Sequence, residues 1–337
     1  MTVVGPFFGL SVRDQALEAD VQAGLAAVEE GLIEATKSGV PFITEAAQHL
    51  VKAGGKRFRP LLVSLAAQFG DPYAPGVVPS AVVVELTHLA TLYHDDVMDE
   101  ADVRRGVPSA NVNWGNSVAV LTGDFLFSRA SRILADLGPE AVRIQAEAFE
   151  RLVTGQILET AGPQNGRDPI DHYLDVLAGK TGSLVAVAGR YGAMMSGADE
   201  RIVEILTHYG ERLGIAFQLA DDVLDIASDS HESGKTPGTD LREGIPTLPV
   251  LHLRARAAAT GDPEDLELCR MLEGDLDDDA LHAEVLRRLR AHPALEEARR
   301  DTVRYAEEAR ATLAPLPACA AKTALEELCD AVVHRAG

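Results

Sequence analysis

The sequence has little positive charge, few cysteines and no long apolar run. Its 52 acidic residues outnumber the 31 lysines and arginines, so the formal net charge is −21. A chain this acidic is a poor candidate for binding nucleic acid, and anionic lipid surfaces would repel it. The most apolar long stretch, residues 81–92, is interrupted by Glu85 and His88 and is shorter than the roughly eighteen residues of a membrane span. We therefore expect no nucleic-acid partner and no integral membrane segment.

Cysteine chemistry and targeting signals are equally sparse. Cys269, Cys319 and Cys329 form no CxxC pair and have no histidine cluster beside them, so free thiols in a reducing compartment are expected. The first ten residues lack the basic and apolar regions of a signal peptide. We therefore expect a cytoplasmic protein, with residues 1–12 forming a poorly ordered tail.

Strand patterns are also missing. No stretch alternates apolar and polar residues for long, whereas apolar residues recur at helical spacing through the chain. The 46% hydrophobic content can supply a large core. The sequence predicts an all-α fold in one domain over residues 1–337. The main helices are predicted over residues 14–37, 43–51, 61–69, 114–135, 139–160, 183–195, 199–226 and 247–259, with a polar loop over 228–246.

The chain does contain an unusual aspartate cluster. Asp95, Asp96 and Asp99 end an apolar helical run, and on a helix Asp95 and Asp99 share a face with Cβ atoms about 5–6 Å apart. Like charges at this spacing repel, and acids near a helix C-terminus oppose the macrodipole, at about 0.3–1 kcal/mol each. A cation would relieve both effects. Mg²⁺ fits, because it commonly combines one or two carboxylates with substrate phosphates.

A second cluster, Asp221, Asp222 and Asp225, repeats the spacing at the end of another apolar helical run. One such cluster could be a solvated surface, but two on separate helices predict a shared metal site. A third acidic patch, residues 275–279, precedes a helical run. We interpret that patch as an N-cap and first turn, where acids are favourable, and predict no metal there.

Basic residues are concentrated beside a glycine turn. Gly54 and Gly55 are followed by three cations among residues 56–59, in a frame that matches no Walker loop. Such a turn can present backbone N–H groups and cationic side chains to an anion. Arg104 and Arg105, which follow the first aspartate cluster, also suit phosphate oxygens.

These motifs occur together and in a fixed order. They are Gly-Gly-Lys-Arg-Phe-Arg-Pro at 54–60, His-Asp-Asp-Val-Met-Asp-Glu at 94–100 with Arg-Arg-Gly at 104–106, Gly-Asp-Phe-Leu at 123–126, Gly-Gln at 155–156, Lys-Thr at 180–181, Phe-Gln-Leu-Ala-Asp-Asp-Val-Leu-Asp at 217–225, and Gly-Lys at 234–235 with Asp-Leu-Arg-Glu-Gly at 240–244. From about residue 45 to residue 335 the sequence closely resembles the trans-isoprenyl diphosphate synthases, or polyprenyl synthetase family. The resemblance implies an antiparallel helical barrel around a deep cavity, the isoprenoid synthase fold, usually as a homodimer.

The resemblance also implies a reaction. Three Mg²⁺ ions would hold an allylic diphosphate and neutralise the charge on the leaving diphosphate, so that an allylic carbocation forms. Isopentenyl diphosphate would attack this cation, and loss of a proton would complete a five-carbon extension. The implied metal residues are Asp95, Asp99 and Asp221, supported by Asp96, Asp222 and Asp225.

The same resemblance implies the substrate contacts. Isopentenyl diphosphate would be held by Gly55, Lys56, Arg59, His88 and Arg105. The allylic diphosphate would be held by Arg104, Lys180 and Lys235. Thr181 and Gln218 would present oxygen dipoles to the carbocation. The chain departs from the family at Ile245, where a third lysine is usual, and at Ser109 and Asn111, where Thr and His are usual.

Product length follows from the residues one helical turn before Asp95, about 5.4 Å deeper. Ala90 and Thr91 are both small. In this family an aromatic residue at either position floors the cavity, so a long product is expected here, with Phe149 as a candidate floor or else a plain core residue. We expect a long-chain all-trans polyprenyl diphosphate synthase that supplies a quinone side chain. The alternatives are a geranylgeranyl diphosphate synthase, a terpene cyclase, or a non-catalytic subunit of a heteromeric synthase.

Overall fold

The computed structural model describes residues 14–228 and 237–336, and helices dominate them. The predicted N-terminal tail, residues 1–12, lies outside the described residues. The helices are α1 (Gln15–Ala35), α2 (Pro41–Lys52), α3 (Phe58–Ala67), α4 (Val77–Met98), α5 (Ala110–Trp114), α6 (Asn116–Leu137), α7 (Pro139–Ala161), α8 (Pro169–Leu177), α9 (Ser183–Met195), α10 (Glu200–Ala227), α11 (Thr239–Arg242), α12 (Leu248–Thr260), α13 (Pro263–Leu272), α14 (Asp279–Arg290), α15 (Pro293–Thr312) and α16 (Ala320–Ala336). The predicted all-α class is confirmed.

The chain forms two compact units, each built from three separate stretches. Unit 1 comprises Met1–Glu150, Leu184–Gly210 and Thr312–Glu326. Unit 2 comprises Arg151–Ser183, Glu211–Ala311 and Glu327–Gly337. The first aspartate cluster belongs to unit 1 and the second to unit 2. The description of the chain as one domain stays a prediction.

Helix α1 shows how the apolar pattern produces local structure in unit 1. The Asp14 carboxylate accepts hydrogen bonds from the backbone N–H groups of Ala16 and Leu17 at 2.9 and 3.0 Å, which caps the helix where the sequence predicted its start. The apolar residues at helical spacing are the buried ones, namely Leu17, Val21, Leu25, Val28 and Leu32. The predicted apolar face is therefore the packed face.

Glycines allow helices of unit 1 to approach closely. A Cβ on Gly189 of α9 would lie 2.3 Å from the carbonyl oxygen of Leu206 in α10, and a Cβ on Gly192 would lie 2.3 Å from that of Val63 in α3. Any larger residue would force the backbones apart. The small-residue character of the 183–195 helix therefore has a packing reason.

Three local features differ from, or add to, the pattern predicted from the sequence. Residues 103–108 form a hairpin of β1 (Val103–Arg104) and β2 (Val107–Pro108), because Arg105 and Gly106 both adopt positive φ (55° and 76°), as a tight type I′ turn requires. The helix predicted over 114–135 is interrupted at Gly115, whose φ of 84° ends α5 before α6 begins. Within the loop predicted over 228–246, residues 229–236 lie outside the described residues, and the part from 237 onward contains the short helix α11.

The third acidic patch has the predicted structural role in unit 2. The Asp278 carboxylate accepts hydrogen bonds from the N–H groups of Ala280 and Leu281 at 2.8 and 3.0 Å, and these bonds lower the pKa of Asp278. The patch therefore caps α14. Across the described ranges, 14–228 and 237–336, none of the helices is long and apolar enough to cross a membrane.

The close contact between α9 and α10 predicts the effect of one substitution. Gly189→Ala should lower the free energy of unfolding by about 1–3 kcal/mol, because its Cβ would meet backbone atoms that cannot move alone. Gly39→Ala is the matched control, since a Cβ there would enter open space, and its change should stay near zero or be slightly stabilising. Urea denaturation measures both. Equal stabilities for the two variants would contradict the packing argument.

Candidate active site

The first aspartate cluster lies at the C-terminal end of α4. Asp95 is partly exposed and Asp99, the C-cap residue, is exposed, and the N–H of Asp99 donates to the Asp95 carbonyl at 2.8 Å. Their spacing is that of the shared helical face predicted from the sequence. Two solvent-accessible carboxylates supply the hard oxygen atoms that Mg²⁺ prefers. A divalent cation therefore fits this helix end.

Asp96 has a different environment from its neighbours. It is fully buried, and its Oδ1 accepts a hydrogen bond from Arg104 Nε at 2.6 Å. Its backbone carbonyl accepts from the N–H of Ala101 and from the Asn111 side chain, at 2.9 and 3.2 Å. Asp96 therefore ties the following turn to the helix and orients Arg104.

The hairpin after the cluster is held by the two residues that depart from the family pattern. Ser109 Oγ donates to the carbonyl of Ala101 at 2.5 Å, and Asn111 Nδ2 donates to the same carbonyl at 3.1 Å. Both side chains thus keep a hydrogen-bonding role in the turn that carries Arg104 and Arg105.

The glycine turn and the hairpin meet in unit 1. The guanidinium of Arg105 donates to the carbonyls of Leu50, at 3.1 Å, and of Gly54. A Cβ on Gly55 would lie 2.8 Å from Arg105 Cζ, and the φ of Gly55 is 149°. Only glycine therefore fits beside this arginine. Lys56, the next residue, is exposed.

Two further predicted residues, Arg59 and His88, lie close to this turn. Arg59 Nε is buried with no hydrogen-bond partner, and burial, opposed by Glu85, lowers the pKa of Arg59 to about 10. Burial and the nearby charges of Arg59 and Arg105 hold the pKa of His88 well below its usual range, so His88 is neutral at pH 7. The structure thus brings Gly55, Arg59, His88 and Arg105 into one cationic cluster, an environment that suits a diphosphate.

The second aspartate cluster ends α10 in unit 2. Asp222 is buried, and its two oxygens accept hydrogen bonds from Gln218 Nε2, at 3.1 Å, and from the hydroxyl of Tyr173. Gln218 Oε1 in turn accepts from Thr181 Oγ1 at 3.4 Å. Predicted residues Thr181, Gln218 and Asp222 therefore form one hydrogen-bonded chain, with Asp221 partly exposed beside it.

Asp225 connects this cluster to α11. Its carboxylate accepts from the N–H groups of Thr239 and Asp240 at 3.2 and 3.3 Å, at the positive end of that helix. Ile245, the residue in place of the usual lysine, is half-buried and donates its N–H to the Asp240 carbonyl at 2.9 Å. Lys235 lies outside the described residues.

Lys180 lies in a π-helical turn, Ala178–Gly182, between α8 and α9. Its Nζ donates to Glu159 Oε2 at 2.7 Å, and that oxygen also accepts from Gln156 at 3.0 Å. A Cβ on Gly155 would lie 2.7 Å from the backbone nitrogen of Lys180. The Gly-Gln motif therefore packs against the π turn and indirectly sets where Lys180 projects.

The proposed chain-length residues occupy unit 1. Ala90 is fully buried. The Thr91 hydroxyl donates a hydrogen bond to the His88 carbonyl of the same helix at 2.8 Å. Phe149 is half-buried, and its ring lies 4.5 Å from that of Phe127. Both α4 positions are thus small, and Phe149 belongs to an aromatic pair.

Sequence reasoning missed four residues that hold the predicted ones in place. They are the buried Arg57 and Glu85 below the glycine turn, Glu159 on Lys180, and Tyr173 on Asp222. Two of them carried a signal in the sequence, Arg57 as one of the three cations beside the glycine turn and Glu85 as an acid within the most apolar run of the chain. Within 14–228 and 237–336, no three His, Cys, Asp or Glu side chains group closely enough to hold a metal by themselves. Ions bound here would need substrate or water oxygens as further ligands, as Mg²⁺ usually does.

The Tyr173 contact predicts a measurable stability difference. Tyr173→Phe should lower the free energy of unfolding by about 1–3 kcal/mol, because the buried Asp222 loses one of its donors. Tyr73→Phe is the control, since its hydroxyl donates to Asp20 in an exposed position, and its change should stay within about 0.5 kcal/mol of zero. Guanidinium denaturation compares the two, and matching losses would contradict the special role of Tyr173.

Comparisons with known proteins agree with this arrangement. The polyprenyl synthetase family model matches residues 40–287. The nonaprenyl diphosphate synthase of Mycobacterium tuberculosis is 49% identical over 330 residues, covering 98% of this chain and 97% of the relative.

Two crystal structures share the fold. The geranylgeranyl pyrophosphate synthase of Corynebacterium glutamicum, complexed with calcium and isoprenyl diphosphate, has a TM-score of 0.86 at 44% identity over 97% of this chain and 100% of its own. The polyprenyl synthase of Caulobacter crescentus, in the same kind of complex, has a TM-score of 0.87 at 35% identity over 97% and 98%. The matching family model and these relatives show that the present chain is a prenyltransferase of the polyprenyl synthetase family.

Proposed function

We propose that this chain is a Mg²⁺-dependent prenyltransferase that adds isopentenyl diphosphate head-to-tail to an allylic diphosphate and makes a long-chain all-trans polyprenyl diphosphate. One observation carries the proposal. Helix α4 bears a carboxylate pair, Asp95 and Asp99, and a neutral His88 two turns earlier, about 10 Å along the axis, within a cationic cluster. A metal-binding end and a second anion site on one helix suit an enzyme that joins two diphosphates. A terpene cyclase would need only the metal-binding end and not the second anion site.

The donor set fits Mg²⁺, since its oxygens come from carboxylates. The family resemblance assigns Asp95, Asp99 and Asp221 to three Mg²⁺ ions, with Asp96, Asp222 and Asp225 in support. Bound Mg²⁺ would neutralise charge developing on the departing diphosphate. The calcium in the two related crystal structures supports a divalent-cation requirement.

The chain's own groups bind and orient the substrates. Arg59 and Arg105, with Lys56 at the surface, attract the isopentenyl diphosphate, while neutral His88 can donate one hydrogen bond without adding charge. Arg104, Lys180 and Lys235 are assigned to the allylic diphosphate. The Thr181 and Gln218 oxygens are assigned to the developing carbocation, which their partial negative charges stabilise.

The product is proposed to be long because α4 presents small residues. Ala90 and Thr91 carry small side chains one turn before Asp95, and a nonaprenyl diphosphate synthase is 49% identical to this chain. The geranylgeranyl alternative remains the second candidate, favoured by the Corynebacterium glutamicum relative. A long product would suit a quinone side chain.

A homodimer is proposed as the active assembly. Val142, Val153 and Ile157 of α7 are exposed, Ile157 by 62%, and they recur on one face of that helix. Such an apolar stripe is typical of a surface covered by another chain. The three cysteines are free thiols, which supports a cytoplasmic location.

Product analysis tests the function. Purified protein with Mg²⁺, radiolabelled isopentenyl diphosphate and farnesyl or geranylgeranyl diphosphate should yield long linear alcohols after dephosphorylation. EDTA should abolish incorporation, and Asp95→Ala should reduce it by about 100-fold or more. The control Asp277→Ala, in the exposed capping patch, should retain full activity. Absence of incorporation by the unmodified chain would contradict the proposal, and a stop at geranylgeraniol would favour the alternative.

Chain length offers a second test in the same assay. Ala90→Phe should shorten the product, because it places an aromatic ring one turn before Asp95, where the family resemblance implies that such a ring limits chain length. Phe149→Ala should lengthen it if that ring forms the floor. Phe125→Ala is the control. The Phe125 ring stacks on the Arg129 guanidinium and not on the ring of Phe127, so this variant should leave the distribution of product lengths unchanged. An unchanged product from Ala90→Phe would contradict the open-cavity argument.

A further inference from the structure

Helix α4 buries two carboxylates, Glu85 and Asp96. The consecutive arginines Arg104 and Arg105 each lie next to one of them. Glu85 and Asp96 are eleven residues apart, about three turns, so they share a helix face. Arg104 bonds Asp96 at 2.6 Å, whereas Arg105 Nη2 lies 3.8 Å from Glu85 Oε1. Asp96 belongs to a metal motif, but the proposed function assigns nothing to Glu85, whose side chain is 2% exposed.

Glu85 also holds the glycine turn through Arg57. Arg57 Nη1 donates to Glu85 Oε1 at 2.9 Å, and the rest of the guanidinium bonds Glu29 and the carbonyls of Val51 and Gly54. Arg57 itself adopts φ 49° and ψ 37°, a left-handed conformation that costs free energy in a non-glycine residue. Its side-chain contacts stabilise that conformation, and with it the turn that presents Gly55 and Lys56.

The same carboxylate is the buried counter-charge of the cationic cluster. Burial lowers the pKa values of Arg59 and Arg105, and Glu85 opposes that effect at both. The charged groups facing Glu85 are Arg57, Arg59 and Arg105, while His88 is neutral and Glu29 lies beyond Arg57. One buried carboxylate among three guanidinium groups leaves an excess of positive charge. Without Glu85, the guanidinium groups would repel one another, because no buried negative charge would lie between them.

We propose that Glu85 is a positioning residue for isopentenyl diphosphate. Through Arg57 it holds the glycine turn, and as a buried counter-charge it keeps the Arg105 and Arg59 guanidinium groups together where the diphosphate binds. Glu85 does not touch the substrate itself. This inference rests on the proposed function, because it concerns the site assigned there to isopentenyl diphosphate.

The test compares Glu85→Gln with the unmodified enzyme. Glu85→Gln should raise KM for isopentenyl diphosphate about tenfold or more, because removing one partner of a buried charge pair weakens the site the pair organises. KM for the allylic diphosphate should change less than about twofold.

Matched variants separate positioning from folding. Glu29→Gln removes the other carboxylate on Arg57 but leaves Glu85 beside Arg105, so it should raise KM for isopentenyl diphosphate less than Glu85→Gln does, while Glu85→Asp should recover part of the loss. If Glu85→Gln does not fold, as judged by circular dichroism, Arg57→Lys provides the second variant. This variant retains the positive charge but loses the planar guanidinium with its several donors, and it should raise KM for isopentenyl diphosphate.

Several outcomes would overturn the inference. These are an unchanged KM in Glu85→Gln, an equal rise in both KM values, or an equal effect of Glu29→Gln. Calorimetric titration with isopentenyl diphosphate alone separates the two proposals. An unmodified enzyme that forms prenyl products, beside a Glu85→Gln variant that binds isopentenyl diphosphate equally well, rejects only the role of Glu85. An unmodified chain that neither binds nor extends the substrate rejects the proposed function and the inference together.

Discussion

The burial of charge along α4 is the constraint on which the site of unit 1 depends. A carboxylate inside a protein is costly unless hydrogen bonds and opposite charges surround it. Glu85 meets this condition with Arg57 from the glycine turn and Arg105 from the hairpin. Asp96 meets it at Oδ1, which bonds Arg104 of the hairpin, while its Oδ2 is buried with no hydrogen-bond partner. The hairpin, the turn and the helix therefore assemble around two acids, and the cationic cluster is a consequence of that assembly.

Helix ends create the complementary constraint. Both aspartate clusters lie at C-terminal ends, where the macrodipole disfavours negative charge. On α10 part of the conflict is relieved by Arg290, which donates to the carbonyls of Ile226, at 2.8 Å, and Ser228. Asp222 is stabilised by Tyr173 and Gln218, and Asp225 by the N-terminus of α11. Asp95 and Asp99 have a spacing at which like charges repel, so a divalent cation bound by both would stabilise this helix end.

Most helices were predictable because their apolar residues recur at the helical period over long stretches. Helix α9 matches its prediction, and α1 and α10 agree to within two residues at each end. The errors occurred where a local turn competes with that pattern. Gly115 ends a helix inside an apolar run, and the turn at Arg105 and Gly106 forms a hairpin too short to show strand alternation. Helix α11 is four residues long and depends on Asp225, from a distant part of the sequence, for its N-terminal hydrogen bonds.

The sequence by itself determined the helical class, the family and the chemical character of the site, because these depend on spacing and residue type within continuous motifs. It did not distinguish the roles of neighbouring residues with the same charge. Arg57 turns inward to Glu85 while Arg59 keeps a buried nitrogen without a protein partner, and Asp96 turns inward while Asp99 faces solvent. Only the tertiary structure decided these directions, since the two inward ones depend on partners outside the motif, Glu85 for Arg57 and Arg104 for Asp96. The cost of leaving a buried charge unpaired selects one arrangement among those that the motif allows.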